Sequence, residues 1–393
     1  MDKSVGVRLR TGQTIKPVSA DSHTVEPPSA YRDYIDPKFR DRAPRHERDV
    51  INGIPTDVMV IDGIPDRVAV RTMSSAGRDP RESTLSGLSE DGHRGGWDPH
   101  ERIKAQDQDG LAGEILYPSF GMLLCGHPDK EYKEACLWAY NRWLQEFCST
   151  HPRRFFGLGQ TASRNPEQTV EDLRKIKDMG FKGVMMSGYP ETEEDYSHPS
   201  WDPVWEACVD LGLPPSFHII ATASTKHAKQ IPINQVLRGT SRLSTFMNTM
   251  RTVQDVLLMF VFDGVFDRHP NLKVVCSEAD AGWVPHFNYR MDHFYNRMRH
   301  TTKSTALSRL PSEIFNEHVY LTFQDDWVAF DVASRNGVNP KRLLWASDYP
   351  HGDSTWPNSQ ALLNEHAAQL NDETKCAILR DNVIGLYQID VET

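Results

Sequence analysis

Leu343-Leu344-Trp345-Ala346-Ser347-Asp348-Tyr349-Pro350-His351 runs apolar for four residues, then turns polar and closes on an acid and a histidine. So short a run reads as a strand buried on both faces, delivering its polar end to a rim. Seven other stretches have the same build: residues 18–23, 111–119, 155–161, 183–188, 213–220, 272–280 and 318–324. Helical patterns separate them at 129–150, 166–179, 201–211, 243–268, 283–299, 328–336 and 356–370, with 373–387 closing the chain. In 129–150, Leu137, Tyr140, Leu144 and Phe147 recur at spacings of three and four and give one apolar face. Eight buried strands, each followed by a helix, predict an α/β fold of the (β/α)8 TIM-barrel type. A doubly wound sheet shows the same alternation and is the competing architecture.

The predicted organisation is an N-terminal tail over 1–16 and one barrel domain over 17–393, with a long insertion or arm after the first strand at about 24–98. That insertion is rich in Pro and Gly. It holds a possible hairpin, 58–61 against 67–71 around Asp62-Gly63, and a polar run over 74–96. Two more long loops are expected: 221–241, and 188–200 with Glu191, Glu193, Glu194, Asp195 and His198. Long loops in a compact domain serve as lids, binding loops or subunit contacts.

Composition narrows the function. The 44 Lys and Arg against 54 Asp and Glu give a net charge of −10, with no basic block for nucleic acid or an anionic membrane. No apolar stretch of about 18 residues spans a bilayer, and the N-terminus lacks the apolar run of a secretory signal. The six cysteines form no C-x-x-C pair, which suits free thiols in a reducing compartment. A cytoplasmic protein acting on a small molecule is the expectation. No P-loop, G-x-S-x-G elbow or H-E-x-x-H helix is present, and Gly157-Leu158-Gly159 is a fragment of a dinucleotide motif that reads as a turn.

In a barrel the C-terminal strand ends share one mouth, so polar residues far apart in sequence can meet there. The first strand ends in Asp21-Ser22-His23, whose outer members point the same way. The fifth ends in His218, the sixth in Glu278 with Asp280 beyond it, and the eighth in Asp348. Two imidazoles plus carboxylates suit a divalent transition ion such as zinc, iron, manganese or cobalt. Asp348 can be a ligand or a general base.

These motifs resemble the amidohydrolase superfamily, in the branch that contains aminocarboxymuconate semialdehyde decarboxylase and the resorcylate-type decarboxylases. The residues that carry the resemblance are Asp21 to Glu26, His218, Ser277 to Trp283 and Ala346 to His351, with Gly110 to Pro118 as the branch's second strand. It extends roughly over 17–387. The resemblance implies that Asp21 and His23 are the acid-x-His ligand pair, His218 the strand-five ligand and Asp348 the strand-eight acid. Where the mononuclear decarboxylases carry a catalytic strand-six histidine, this chain has Glu278, which cannot act as a neutral imidazole but can bridge two cations. His351 and His286 are candidates to complete a second metal position, with two ions then about 3.5–4 Å apart.

Around this set, Glu26 either orients His23 or faces solvent, Glu114 points into the barrel or toward a helix, and Asp280 and Asp353 can be caps. Trp283, Trp356, Phe120 and Tyr189 are candidates to wall a substrate pocket, or are core. The expected enzyme is a metal-dependent hydrolase or non-oxidative decarboxylase of a small organic acid, with one or two ions of zinc, iron or manganese and with Asp348 and Glu278 catalytic. The alternative is a dinuclear Fe/Fe or Fe/Mn oxygenase on the same scaffold. A homodimer is expected by analogy with the branch.

Overall fold

The computed structural model describes residues 6–79, 81, 86–221, 242–302, 304–335 and 337–392, with the backbone alone over 242–246. Eight parallel strands form one sheet in which each strand neighbours the next in sequence. They are β1 Val18–His23, β2 Gly113–Tyr117, β3 Phe155–Gln160, β4 Gly183–Met186, β5 Pro215–His218, β6 Val274–Ser277, β7 Val319–Phe323 and β8 Leu343–Trp345. This is the (β/α)8 barrel, and all eight expected strands are present within the ranges read from the sequence. Nearly every strand residue is buried, as a sheet covered on both faces requires. Gly157-Leu158-Gly159, read as a turn, lies inside β3, where its small residues are buried strand positions. The loop expected over 221–241 lies, beyond Ala221, outside the described residues.

The chain divides into two compact units, residues 1–160 with 345–393, and residues 161–344. In the first unit, α1 (Pro99–Asp109) begins on an Asp98 cap with Pro99 in its first turn, and stops at Gly110, whose φ of 70° suits a left-handed C-cap. Its mean character is polar, so the apolar-period reading passed over it. The helix expected at 129–150 is α2 (Lys130–Ser149), whose Asp129 side chain accepts from the Tyr132 N–H. The insertion is ordered as a three-stranded antiparallel sheet of Arg45–Ile51, Ile54–Val60 and Val68–Ala69. The hairpin expected around Asp62-Gly63 is there, since Val58 pairs Ala69 and Met59 pairs Val68. The longer hairpin, missed from sequence, turns at Asn52-Gly53, both with positive φ as a two-residue I′ loop demands.

The second unit carries β4 to β7 and their helices, including α3 (Pro166–Asp178), α4 (Asp202–Leu211), α5 (Arg242–Phe262) and α6 (Val284–Thr302). The helix expected over 243–268 breaks at Gly264, which has φ 74° and separates α5 from the short Val265–Arg268 helix.

The ends of β1 and β8 meet inside the first unit. His23 N–H donates to the Tyr349 carbonyl at 2.7 Å, and Asp348 N–H donates to the Asp21 carbonyl at 3.0 Å. Buried hydroxyls lace the same seam. Ser347 N–H donates to Ser19 Oγ at 2.8 Å, and Ser22 Oγ lies 3.0 Å from Ser347 Oγ. Alanine at position 19 removes that acceptor without adding bulk. Ser19→Ala should therefore cost about 1–3 kcal/mol, read as a lowered urea midpoint at unchanged slope.

Farther from the seam, Asp109 accepts from the N–H and hydroxyl of Ser359, and burial pushes its carboxyl up to about 7. A carboxyl raised in the folded state contributes stability that is full below its unfolded pKa and fades as pH rises through the folded value. Stability of the wild type should fall between about pH 4 and 7. Asp109→Asn should flatten that part of the pH–stability curve.

Candidate metal centre

A bulge shapes the end of β1. Ser19 pairs Glu114 and Ser22 pairs Leu116, so Ala20 and Asp21 together oppose Ile115. Bulges of this kind re-aim side chains beside active sites. Here the bulge accompanies a cluster of four buried groups in the first unit. His23 Nε2 is 3.4 Å from Asp21 Oδ1 and 3.1 Å from Asp348 Oδ1. His351 Nδ1 is 3.2 Å from the same Asp348 oxygen. The two imidazoles stack, with ring centroids 4.0 Å apart at 23°. His23, Asp348 and His351 offer ligand atoms within 4.8 Å of one another.

The far nitrogen of each ring is committed elsewhere. His23 Nδ1–H donates to the Pro118 carbonyl at 2.9 Å. The Ser119 hydroxyl donates to the Thr24 carbonyl at 2.7 Å, so its oxygen accepts from His351 Nε2–H at 2.9 Å. Both rings thus turn a lone pair toward Asp348, the arrangement that ligating histidines adopt when a hydrogen bond fixes their tautomer. Neither Asp348 carboxylate oxygen accepts a hydrogen bond of good geometry, although the residue is wholly buried. Two carboxylates and two lone pairs converging out of water need positive charge between them. A divalent ion fits that donor set. Burial pulls His23 down, but Asp21 and Asp348 outweigh it and hold the ring well above its usual range. Burial likewise pushes Asp348 up, and His351 and His23 hold it far below the usual carboxylate range.

Glu26 is buried and does not face solvent. Its carboxylate accepts the N–H groups of Ser119, Phe120 and Gly121 at 3.1, 3.0 and 2.8 Å. Burial pushes its pKa up while those N–H groups pull it down. It acts on the site indirectly, by fixing the loop that supplies the Pro118 carbonyl and the Ser119 hydroxyl. Glu114 points outward, to Arg102 and Gln106 of α1.

In the second unit, His218 ends β5 in register with Ser277 of β6, and its Nε2 lies 3.0 Å from Glu278 Oε2. His218 is wholly buried, whereas the Glu278 side chain is 15% exposed. Glu278, Asp280 and Asp348 all have φ near +58°, at 58, 57 and 57°. Left-handed backbone at three carboxylates following barrel strands is the kind of strain that clusters at functional sites. Burial, with Asp326 and Asp325 nearby, pushes Asp280 up to about 7. A cavity of about 650 Å³ adjoins it, lined among others by Met247, Met250, Arg251, Gln254 and Trp283.

The remaining candidates are placed as follows. His286 is exposed on α6 and belongs to none of the ligand groups found among the described residues. Trp283 donates its N–H to the carbonyls of Ala279 and Asp280 at the cavity edge. Trp356 packs on His93 and Tyr349 and donates to Ala105. Phe120 is fully buried and Tyr189 half-buried. The sequence reading missed Arg102, Ser119 and the serine lacing. The Asp98-Pro99 start and Gly110 stop were the signals that would have revealed α1.

Comparison with known proteins decides the family. The amidohydrolase family profile matches residues 92–389. The chain belongs to this family. It is 26% identical over 298 residues to a 2-amino-3-carboxymuconate-6-semialdehyde decarboxylase of Dictyostelium discoideum, covering 75% of this chain and 77% of that one. It is 23% identical over 267 residues to a gamma-resorcylate decarboxylase of Rhodococcus jostii strain RHA1, covering 64% and 75%. Among solved structures, an amidohydrolase from Mycobacterium avium subsp. paratuberculosis K-10 superposes with a TM-score of 0.73 at 22% identity, covering 95% of this chain and all of that one. A dihydroxybenzoic acid decarboxylase from Polaromonas sp. JS666, solved with manganese and 2-nitroresorcinol, gives 0.61 at 17% identity, covering 95% and 97%. The amidohydrolase is therefore a metal-dependent enzyme, and its His and Asp cluster suits a divalent ion. These relatives favour the hydrolase or decarboxylase expectation and lend the oxygenase alternative no support.

The hydrogen bond from His351 to Ser119 yields a direct check. Ser119→Ala should weaken manganese binding by about 10–100-fold, the usual cost of removing a ligand's outer partner. Competition with a chelating indicator measures it.

Proposed function

We propose that this amidohydrolase is a non-oxidative decarboxylase of a small organic acid, with a divalent transition ion (zinc, iron or manganese) held at the strand ends. The observation that carries the proposal is the Asp348 carboxylate, buried, without a hydrogen bond of good geometry, and faced by His23 and His351. Asp21, His23, Asp348 and His351 are the ligand candidates of the first unit. His218 and Glu278, 3.0 Å apart after β5 and β6, are the ligand candidates of the second unit. His286 has the weakest claim, since it is exposed.

Decarboxylation breaks one C–C bond, leaves its electron pair on the substrate carbon and requires one proton there. The ion, when bound, supplies Lewis-acid charge that holds the substrate's oxygens. His23 and His351 keep their lone pairs aimed by giving their other N–H to Pro118 and Ser119. Asp348 is the proposed proton carrier at the substrate. Glu278 is the proposed catalytic carboxylate of the second unit, and its side chain is 15% exposed. The reading includes a cytoplasmic homodimer without nucleic-acid or membrane partners. The net charge of −10 supports the last point, and no helix among the described residues is long and apolar enough to cross a membrane.

The test is carbon dioxide release from hydroxybenzoates by manganese-loaded enzyme without oxygen. One carbon dioxide per product is expected, falling by about 10²–10⁴-fold in Asp348→Asn. Hydrolysis of amides without carbon dioxide release, or dependence on oxygen, would overturn the reading.

A further inference from the structure

Arg102 lies on α1, outside the ligand set, and is completely buried. Four of its contacts come from one guanidinium. Nε donates to Glu114 Oε2 at 2.6 Å, and one terminal nitrogen donates to the His23 carbonyl at 2.6 Å and the Gly95 carbonyl at 3.2 Å. The other donates to the Tyr349 carbonyl at 3.3 Å. The guanidinium also lies over the Tyr349 ring, 4.7 Å from its centroid. Gln106 donates to the same Glu114 oxygen and steadies the counter-ion.

Two of those carbonyls belong to the ligand-bearing backbone. One is that of His23 itself, and the other is that of the residue after Asp348. The side chains of His23 and Asp348 face each other at 3.1 Å. A planar fork that grips both peptides fixes the spacing between them, which a single ammonium point charge could not do. The ion pair with Glu114 alone does not account for the group. A buried ion pair can often be exchanged for apolar residues of similar volume at little or no cost in stability.

We infer that Arg102, held by Glu114, is a positioning residue that sets the separation of the His23 and Asp348 donors and so tunes metal affinity. The inference rests on the ion reading of the previous section, and its experiment separates the two. Manganese affinity is measured by chelator competition, and stability by urea unfolding, for wild type, Arg102→Lys and the double variant Arg102→Met with Glu114→Met. The double variant should stay folded, with a lowered urea midpoint because the His23 and Gly95 carbonyls lose their guanidinium donor, and should bind manganese about 10–100-fold more weakly, with a broadened manganese resonance spectrum. Folded Arg102→Lys should show the same loss, because it keeps the charge and loses the fork. Wild-type affinity in either folded variant would overturn the inference. Should the double variant fail to fold, the lysine variant decides alone. Wild-type enzyme that binds no manganese would sink the ion reading itself, and this inference with it.

Discussion

The architecture depends on a constraint at the seam where the chain's first and last barrel strands meet. Two backbone hydrogen bonds, His23 to Tyr349 and Asp348 to Asp21, hold the strand ends in contact. Their side chains then have nowhere to point but at one another. Two carboxylates and two imidazoles are brought together out of water, where charge is costly unless matched. Everything around them serves that match: a bulge that re-aims Asp21, a serine cluster that closes the seam, and a loop nailed down by Glu26 that fixes both ring tautomers.

The cost of such a site shows in its backbone as well as its electrostatics. Asp348 and Glu278 both sit in left-handed backbone that non-glycine residues seldom adopt. Glutamate in that conformation carries strain that ordinary packing does not require. The departure from a strand-six histidine, seen in the sequence, is therefore matched by an unusual local conformation. Glu278 is also the more exposed of the two acids, at 15% against 1% for Asp348.

Much of this was legible in the sequence, for physical reasons. Buried parallel strands have so strong an apolar signature that all eight were found, and Asp21, His23, His218, Glu278 and Asp348 were readable as strand-end positions because those strands were. What escaped was written in polar residues. Helix α1 has little apolar periodicity, so Arg102 and its reach to His23 were invisible, and Glu114 could not be assigned a direction. The Asn52-Gly53 hairpin lay in residues too polar to look like strands. Ser119 had no signal of its own, since its importance comes from a hydroxyl caught between Thr24 and His351. Sequence pattern reports which residues must hide from water, and says little about which polar group will find which partner.

The central claim is that a divalent ion belongs beside Asp348. Crystals soaked in manganese and measured at its absorption edge test it most directly. The account predicts an anomalous peak within bonding distance of His23 Nε2 and an Asp348 oxygen, about 2.0–2.3 Å away. Density there without anomalous signal, or a peak elsewhere with His23 Nε2 still about 3.1 Å from Asp348, would contradict it.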